Sequence, residues 1–213
     1  NITLDNNGVP YIFAAVSNGD FGLYRKNGND FDQAYFDEDD LADNFSRTFQ
    51  SNLAFDTSNK PYFSFVAGSG ISAVSSEPLI GFAKLTGSDF TNTGDWKFTT
   101  LDYLDSNNEG WLPTATRRSV VKINSNDEKY ILTHRYDTSP YSGEYYLYYH
   151  DGLSDETNPN SWSKHSIDKY GSRSDINLYF DMELINDKPA IAYHKPVPGE
   201  YFARQQIRYK EFI

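Results

Sequence analysis

Cysteine is missing from the 213-residue chain. Its absence excludes disulfide scaffolding, thiolate metal sites and a cysteine nucleophile. It leaves the compartment open, because a domain this long can bury a sizeable core without covalent staples. Positive charge is scarce. There are 19 Lys and Arg against 30 Asp and Glu, a formal charge of −11. No surplus of cations exists to replace counterions along a phosphate backbone, so a general nucleic-acid partner is excluded. Long apolar runs are also lacking, which excludes a membrane span. No 12-residue window keeps a 3.6-residue period, so helical architectures fit poorly. The acidic stretch Glu38–Asn44 is long enough for one helical turn only. A glycine-rich phosphate loop, a serine nucleophile elbow and a zinc-protease helix motif are absent as well. No basic, apolar leader opens the sequence, and the expectation is that any leader has been removed.

Aromatic residues are abundant: 17 Tyr, 15 Phe and 3 Trp make 16% of the chain. Tyr and Phe favour strands and supply flat contact surfaces, and so many of them argue against disorder. The acidic, Asn/Asp/Gly/Ser-rich remainder suits a protein outside the cytoplasm, secreted, periplasmic or at the cell surface.

Internal repetition organises the sequence. Four segments share a short β run, a polar turn and a second β run: 2–16, 52–66, 119–134 and 176–194. Their turn anchors Pro10, Pro61, Lys129 and Pro189 stand 51, 68 and 60 residues apart. A third run follows each pair, at 20–26, 79–85, 144–150 and 204–212. A fourth is visible as Trp96 to Asp102 and Trp162 to Asp168, with a weaker counterpart at Phe31–Phe36. Each unit therefore reads as short antiparallel strands joined by Gly/Asn/Asp turns. The unit bounds are 1–51, 52–118, 119–175 and 176–213 of a single domain.

Such units point to radial repetition, hence an all-β propeller of four-stranded blades, four of them here or part of a larger ring. The expected inner strands are 2–5, 52–56, 119–123 and 176–180. Unit 4 ends after its third run, which leaves an open or borrowed edge near the C-terminus. A β-sandwich is the alternative. The chain resembles bacterial propeller repeats that open with Leu-Ala-x-Asp-x-x-Gly-x-Pro-x-Ile-x-Tyr. Leu4 to Pro10, Leu53 to Asp56 with Lys60-Pro61, and Lys188 to Tyr193 carry the resemblance. Unit 3 departs from it with Lys129 in place of Pro, and the Ser-x-Asp-x-Gly-x-x-Trp box of sialidase-like propellers is missing.

Candidate chemistry follows the repeat. Arg47, Arg117/Arg118 and Arg173 each precede an inner strand. In a propeller those loops share one mouth, where Arg47, Arg118 and Arg173 would bind a carboxylate or sulfate bidentately; the plainer reading pairs each with a nearby carboxylate. His134 and His194 recur five residues after their turn anchors, and Tyr136 shares a strand face with His134. A His/Tyr pair beside an arginine suits proton abstraction from a uronate and β-elimination; otherwise these are ordinary strand residues. Asp5, Asp56 and Asp181 recur near inner strands, either as glycosidase carboxylates or as turn caps. Calcium is the one cofactor the sequence suggests, at Asp37-Glu38-Asp39-Asp40 with Asp43, although the order of an EF-hand loop is lacking. Tyr146 and Tyr148 fall on one face of a tyrosine-rich hairpin and Tyr145 and Tyr149 on the other, one set being free to stack on sugar rings. Trp111, outside the repeat pattern, is the candidate exposed anchor.

These features suggest a carbohydrate-binding module, acidic saccharides included. The alternatives are a polysaccharide lyase before a glycoside hydrolase, or a propeller whose partner is a protein surface.

Overall fold

A computed structural model describes residues 1–15, 20–36, 47–49, 52–68, 79–103, 118–138, 141–171, 179–196 and 205–212. The described chain is all-β and forms four antiparallel sheets in chain order. Sheet 1 runs β1 (Ile2–Leu4), β2 (Pro10–Ala15), β3 (Phe21–Asn27) and β4 (Asp30–Phe36). In sheet 2, β5 (Arg47–Phe49) and β6 (Leu53–Phe55) both pair with β7 (Pro61–Gly68), which is followed by β8 (Leu79–Leu85) and β9 (Trp96–Tyr103). Sheet 3 comprises β10 (Ser119–Ile123), β11 (Lys129–Thr138), β12 (Tyr141–His150) and β13 (Ser163–Gly171). Sheet 4 has three strands, β14 (Phe180–Ile185), β15 (Lys188–Pro196) and β16 (Gln205–Glu211).

β1, β6 and β10 fall within the positions expected for the first strands of units 1 to 3, and β5 is an addition. Residues 176–180 were expected to form the fourth; 176–178 lie outside the described residues, and the described strand is Phe180–Ile185, closed by a two-residue turn at Asn186-Asp187. Both turn residues hold positive φ, 50° and 62°, as such hairpins require. Asp181 consequently lies inside a strand, whereas Asp5 and Asp56 cap turns. Asp5 accepts from the Asn7 and Val9 amides at 2.9 and 2.8 Å, and Asp56 from the Lys60 amide at 2.7 Å. In sheet 3 the same cap is Asn124, which accepts from Asn126 and Glu128. Among the described residues β16 pairs with β15, and Ile2–Leu4 pair with β2.

Three apolar layers lie between successive sheets. Phe13, Leu23 and Phe36 of sheet 1 meet Leu53, Phe63 and Trp96 of sheet 2. Val66, Ile80 and Phe82 meet Val121, Ile131, Tyr146 and Tyr148 of sheet 3. Leu132, Tyr145 and Leu147 meet Phe180, Met182, Ile191 and Tyr193 of sheet 4. Strand alternation explains the division, because odd and even positions of β12 serve opposite neighbours. Each such side chain contributes on the order of 1.5–3 kcal/mol by leaving water.

The turns interlock as well. Asn6, Thr57 and Ser125 hydrogen-bond to Asn59, Asp127 and Asp187, one turn onward each time. Each acceptor sits at φ near 62°.

Candidate ligand cleft between sheets 1 and 2

Two loops of the same design enter the layers. Asp89-Phe90-Thr91-Asn92 leads to Trp96, and Asp155-Glu156-Thr157-Asn158 leads to Trp162. In both, the Asp carboxylate accepts from the Thr amide and hydroxyl, and Asn caps a short 3₁₀ turn. The Trp indole then donates back to the carbonyl six residues earlier, at 3.1 Å to Phe90 and 2.9 Å to Glu156. The scaffold thus projects one variable side chain between sheets: Phe90 between 1 and 2, Glu156 between 2 and 3.

Glu156 closes its gap. Its Oε1 accepts from the Tyr62 hydroxyl at 3.1 Å and from Lys84, and Oε2 pairs with Lys129 at 2.8 Å. Burial opposes ionisation of Glu156, but bonds from Lys129 and Lys84 override it and hold the carboxyl below its usual range. His150 lies fully buried beside this cluster, its ring 5.1 Å from that of Trp162. Burial and the Lys129 charge lower its pKa. Lys129, the unit 3 departure from Pro, is with Lys84 one of two cations that hold a carboxylate there.

Phe90 leaves a cleft of about 340 Å³, lined by Asp5, Tyr11, Arg25, Asn59, Lys60 and Phe90 among others. The Arg25 guanidinium lies 5.0 Å from the Phe90 ring centre and bonds Asp32 through Nε at 3.1 Å. Burial works against the Arg25 charge, yet Asp32 and Tyr11 raise its pKa further. Lys60 donates to the Thr86 carbonyl at 3.2 Å and keeps two N–H groups for another acceptor. Lys26 borders the cleft, with its ammonium 4.8 Å over Phe31. Asp5 is the one carboxylate in the lining, and it is fully engaged. Burial raises its pKa, but the bonds from Asn59, Val9 and Asn7 outweigh that and lower it. The lining therefore offers the Arg25 and Lys60 cations and one occupied carboxylate above a Tyr11–Phe90 floor, while the Lys26 ammonium lies over Phe31 on the opposite face of sheet 1.

Those of the expected site residues that the structure describes lie elsewhere. His134 is fully buried, with Nε2 2.7 Å from the Tyr170 hydroxyl and its ring parallel to Tyr170. Gly143 makes room for this pair, because a Cβ there would meet Tyr170 Oη at 2.2 Å and His134 Nε2 at 2.8 Å. His194 occupies the matching position one sheet on, against Tyr179. Sheet 4 thus stands between the two histidines. Tyr136 pairs with Gly143 through its backbone, and its side chain lies outside the described residues.

Tyr146 and Tyr148 are buried between sheets 2 and 3, with hydroxyls bonded to Glu144 and Asp102. The exposed sugar platform expected of them is corrected on that ground: the neighbouring sheet covers the faces. Arg118 pairs with Asp181 at 3.7 Å and lies over Phe180, as the plainer reading had it. The side chain of Arg47, all of Arg173 and Trp111, and the acidic run Asp37–Asp43 lie outside the described residues. No cluster with metal-ligand character exists among the described residues. Sequence reading missed Arg25, Lys60 and Phe90, although aligning 89–96 with 155–162 would have exposed the variable position.

No family model and no curated protein matches the chain. Among solved structures it is similar to the polysaccharide lyase Uly1, at a TM-score of 0.45 and 9% identity over 98% of this chain and 48% of that one. The chain thus spans about half the length of that lyase. No helix among the described residues is long and apolar enough to cross a membrane.

Proposed function

We propose that this chain is an extracytoplasmic carbohydrate-binding module of propeller type, with an acidic saccharide as the ligand of the cleft between sheets 1 and 2. The observation that carries the reading is the cleft lining: Arg25 and Lys60 beside an aromatic floor in a chain of charge −11. Arg25 keeps guanidinium N–H groups beyond those on Asp32, and Lys60 has two to spare, so a uronate carboxylate finds charge-assisted donors. Asn59 adds an amide, and Tyr11 and Phe90 supply apolar edges for a sugar ring. The repeat supports the propeller description. Successive inner strands lie side by side, with the Asn52 amide bridging β6 to the Val121 backbone of β10 at 2.6 and 3.2 Å.

Calorimetric titration with a uronic-acid oligosaccharide and its neutral counterpart tests the reading. Arg25→Ala and Lys60→Ala should each weaken the acidic ligand by about 1–3 kcal/mol and barely alter the neutral one. Equal losses for both ligands, or no binding by the parent, would refute it.

A further inference from the structure

The two ends of the array carry the clearest unspent feature of the molecule. Among the described residues, eight of the nine large apolar side chains left exposed lie on only two surfaces. Ile2, Leu4, Phe31 and Tyr35 share the face of sheet 1 that points away from sheet 2, as the pairings Ile2–Ile12–Tyr24 and Lys26–Phe31 require. Tyr179, Ile185, Ile207 and Tyr209 share the face of sheet 4 that points away from sheet 3.

Register shows what these positions do elsewhere. The residue at the place of Ile2 is Leu53 in sheet 2, Val121 in sheet 3 and Met182 in sheet 4. All three are buried by the preceding sheet, whereas Ile2 is 72% exposed. The place of Ile207 is held by Phe21, Ile80 and Tyr145, and that of Tyr209 by Leu23, Phe82 and Leu147. Those six are buried by the following sheet, while Ile207 and Tyr209 are 76% and 59% exposed. Each end thus keeps the apolar half of the contact that joins every internal pair of sheets, and the two halves are opposite in kind.

The turns agree. Where the later sheets present Asn59, Asp127 and Asp187 to the turn before, sheet 1 presents Gly8, with nothing within 4 Å of a Cβ. Sheet 4 has the shorter turn and places exposed Ile185 next to it. An end-to-end junction would replace the polar clasp with an apolar one.

We propose that two copies of this chain pack end to end, sheet 4 of each on sheet 1 of the other, closing a two-fold ring of eight sheets. The contact continues the interface already repeated three times within the chain, and a closed pair covers both end faces at once. A large apolar patch on a lone soluble chain otherwise marks an interaction site.

Light scattering after size exclusion on the 213-residue chain provides the test. The expected mass is twice 24.3 kDa. Ile2→Glu or Ile207→Glu should each return it to that of one chain, with the far-ultraviolet circular dichroism unchanged. An equimolar mixture of these two variants should regain a two-chain species, because one intact junction remains. Where a charged variant fails to fold, Ile2→Ala and Ile207→Ala take its place, with dimer dissociation raised at least about tenfold. A monomeric parent at submillimolar concentration, an open-ended polymer, or a dimer indifferent to both ends would overturn the proposal.

Discussion

The gaps between sheets 1 and 2 and between sheets 2 and 3 are built alike and finished differently. Both receive a residue from an Asp-x-Thr-Asn loop locked by a tryptophan indole. In one gap the residue is Phe90, which leans on Tyr11 and Arg25 and leaves a cleft. In the other it is Glu156, which ties Tyr62, Lys84 and Lys129 together. One repeated backbone therefore yields an open and a closed version of the same place. The closed version also carries Lys129 in place of the proline of the other units, and it pairs with Glu156 beside Lys84.

The comparison breaks most sharply at Glu156. Glu156→Ala would leave Lys129, whose side chain is 5% exposed, without a carboxylate, holding only the Asp127 carbonyl at 2.9 Å. The expected loss is about 3–5 kcal/mol in chemical denaturation, because an unpaired buried charge costs far more than the pair is worth. A loss below about 1 kcal/mol would show that the lysines reach water.

Phe90→Ala removes ring packing against Tyr11 and Trp96 and leaves no charge behind. It should cost about 3 kcal/mol, at the low end for a buried Phe because the site already borders a cleft. Its signature differs from that of Glu156→Ala. The Phe90 loss should be nearly independent of pH, and a pH-dependent loss would dissolve the distinction.

Acid should act through the closed gap. Glu156 and His150 are both held below their ordinary values of 4.5 and 6.5. Groups with depressed pKa add stability above the unfolded-state value and lose it as pH falls through the folded one. The melting temperature should therefore decline as pH drops from neutrality, first through His150 and then through Glu156. His150→Phe should flatten the earlier part of that decline; an unchanged profile would remove His150 from the account.

The smallest effect belongs to the turn interlock that both gaps share. Thr57→Val removes the exposed hydroxyl bond to Asp127 but keeps the backbone one. It should change stability by less than about 0.5 kcal/mol. A larger loss would mean that the clasps, and not the apolar layers, set the spacing of the sheets.

Much of the architecture was legible as text. Alternating aromatics, recurring turn anchors and the paired Trp-to-Asp runs located nearly every strand and divided the Tyr145–Tyr149 hairpin into its two faces. Unit 4 shows the limit, since the strand Phe180–Ile185 is placed by the Asn186-Asp187 turn, which the spacing of the other units did not single out. The site was less legible. Arg118 and the tyrosines looked available because a sequence displays chemical type without displaying what covers it. Asp181 took Arg118, and a neighbouring sheet took Tyr146 and Tyr148.

The sequence by itself determined the strand period, the turn chemistry and the count of repeated units, since these depend on neighbours within a few residues. Tertiary structure alone decided which face of each strand meets another sheet. It also decided that Phe90 opens a cleft where Glu156 closes one, and that Ile2 and Ile207 stay in water while their counterparts are buried. Those outcomes depend on residues far apart in the chain, such as Tyr62 and Glu156, whose approach is fixed by packing and not by any local pattern.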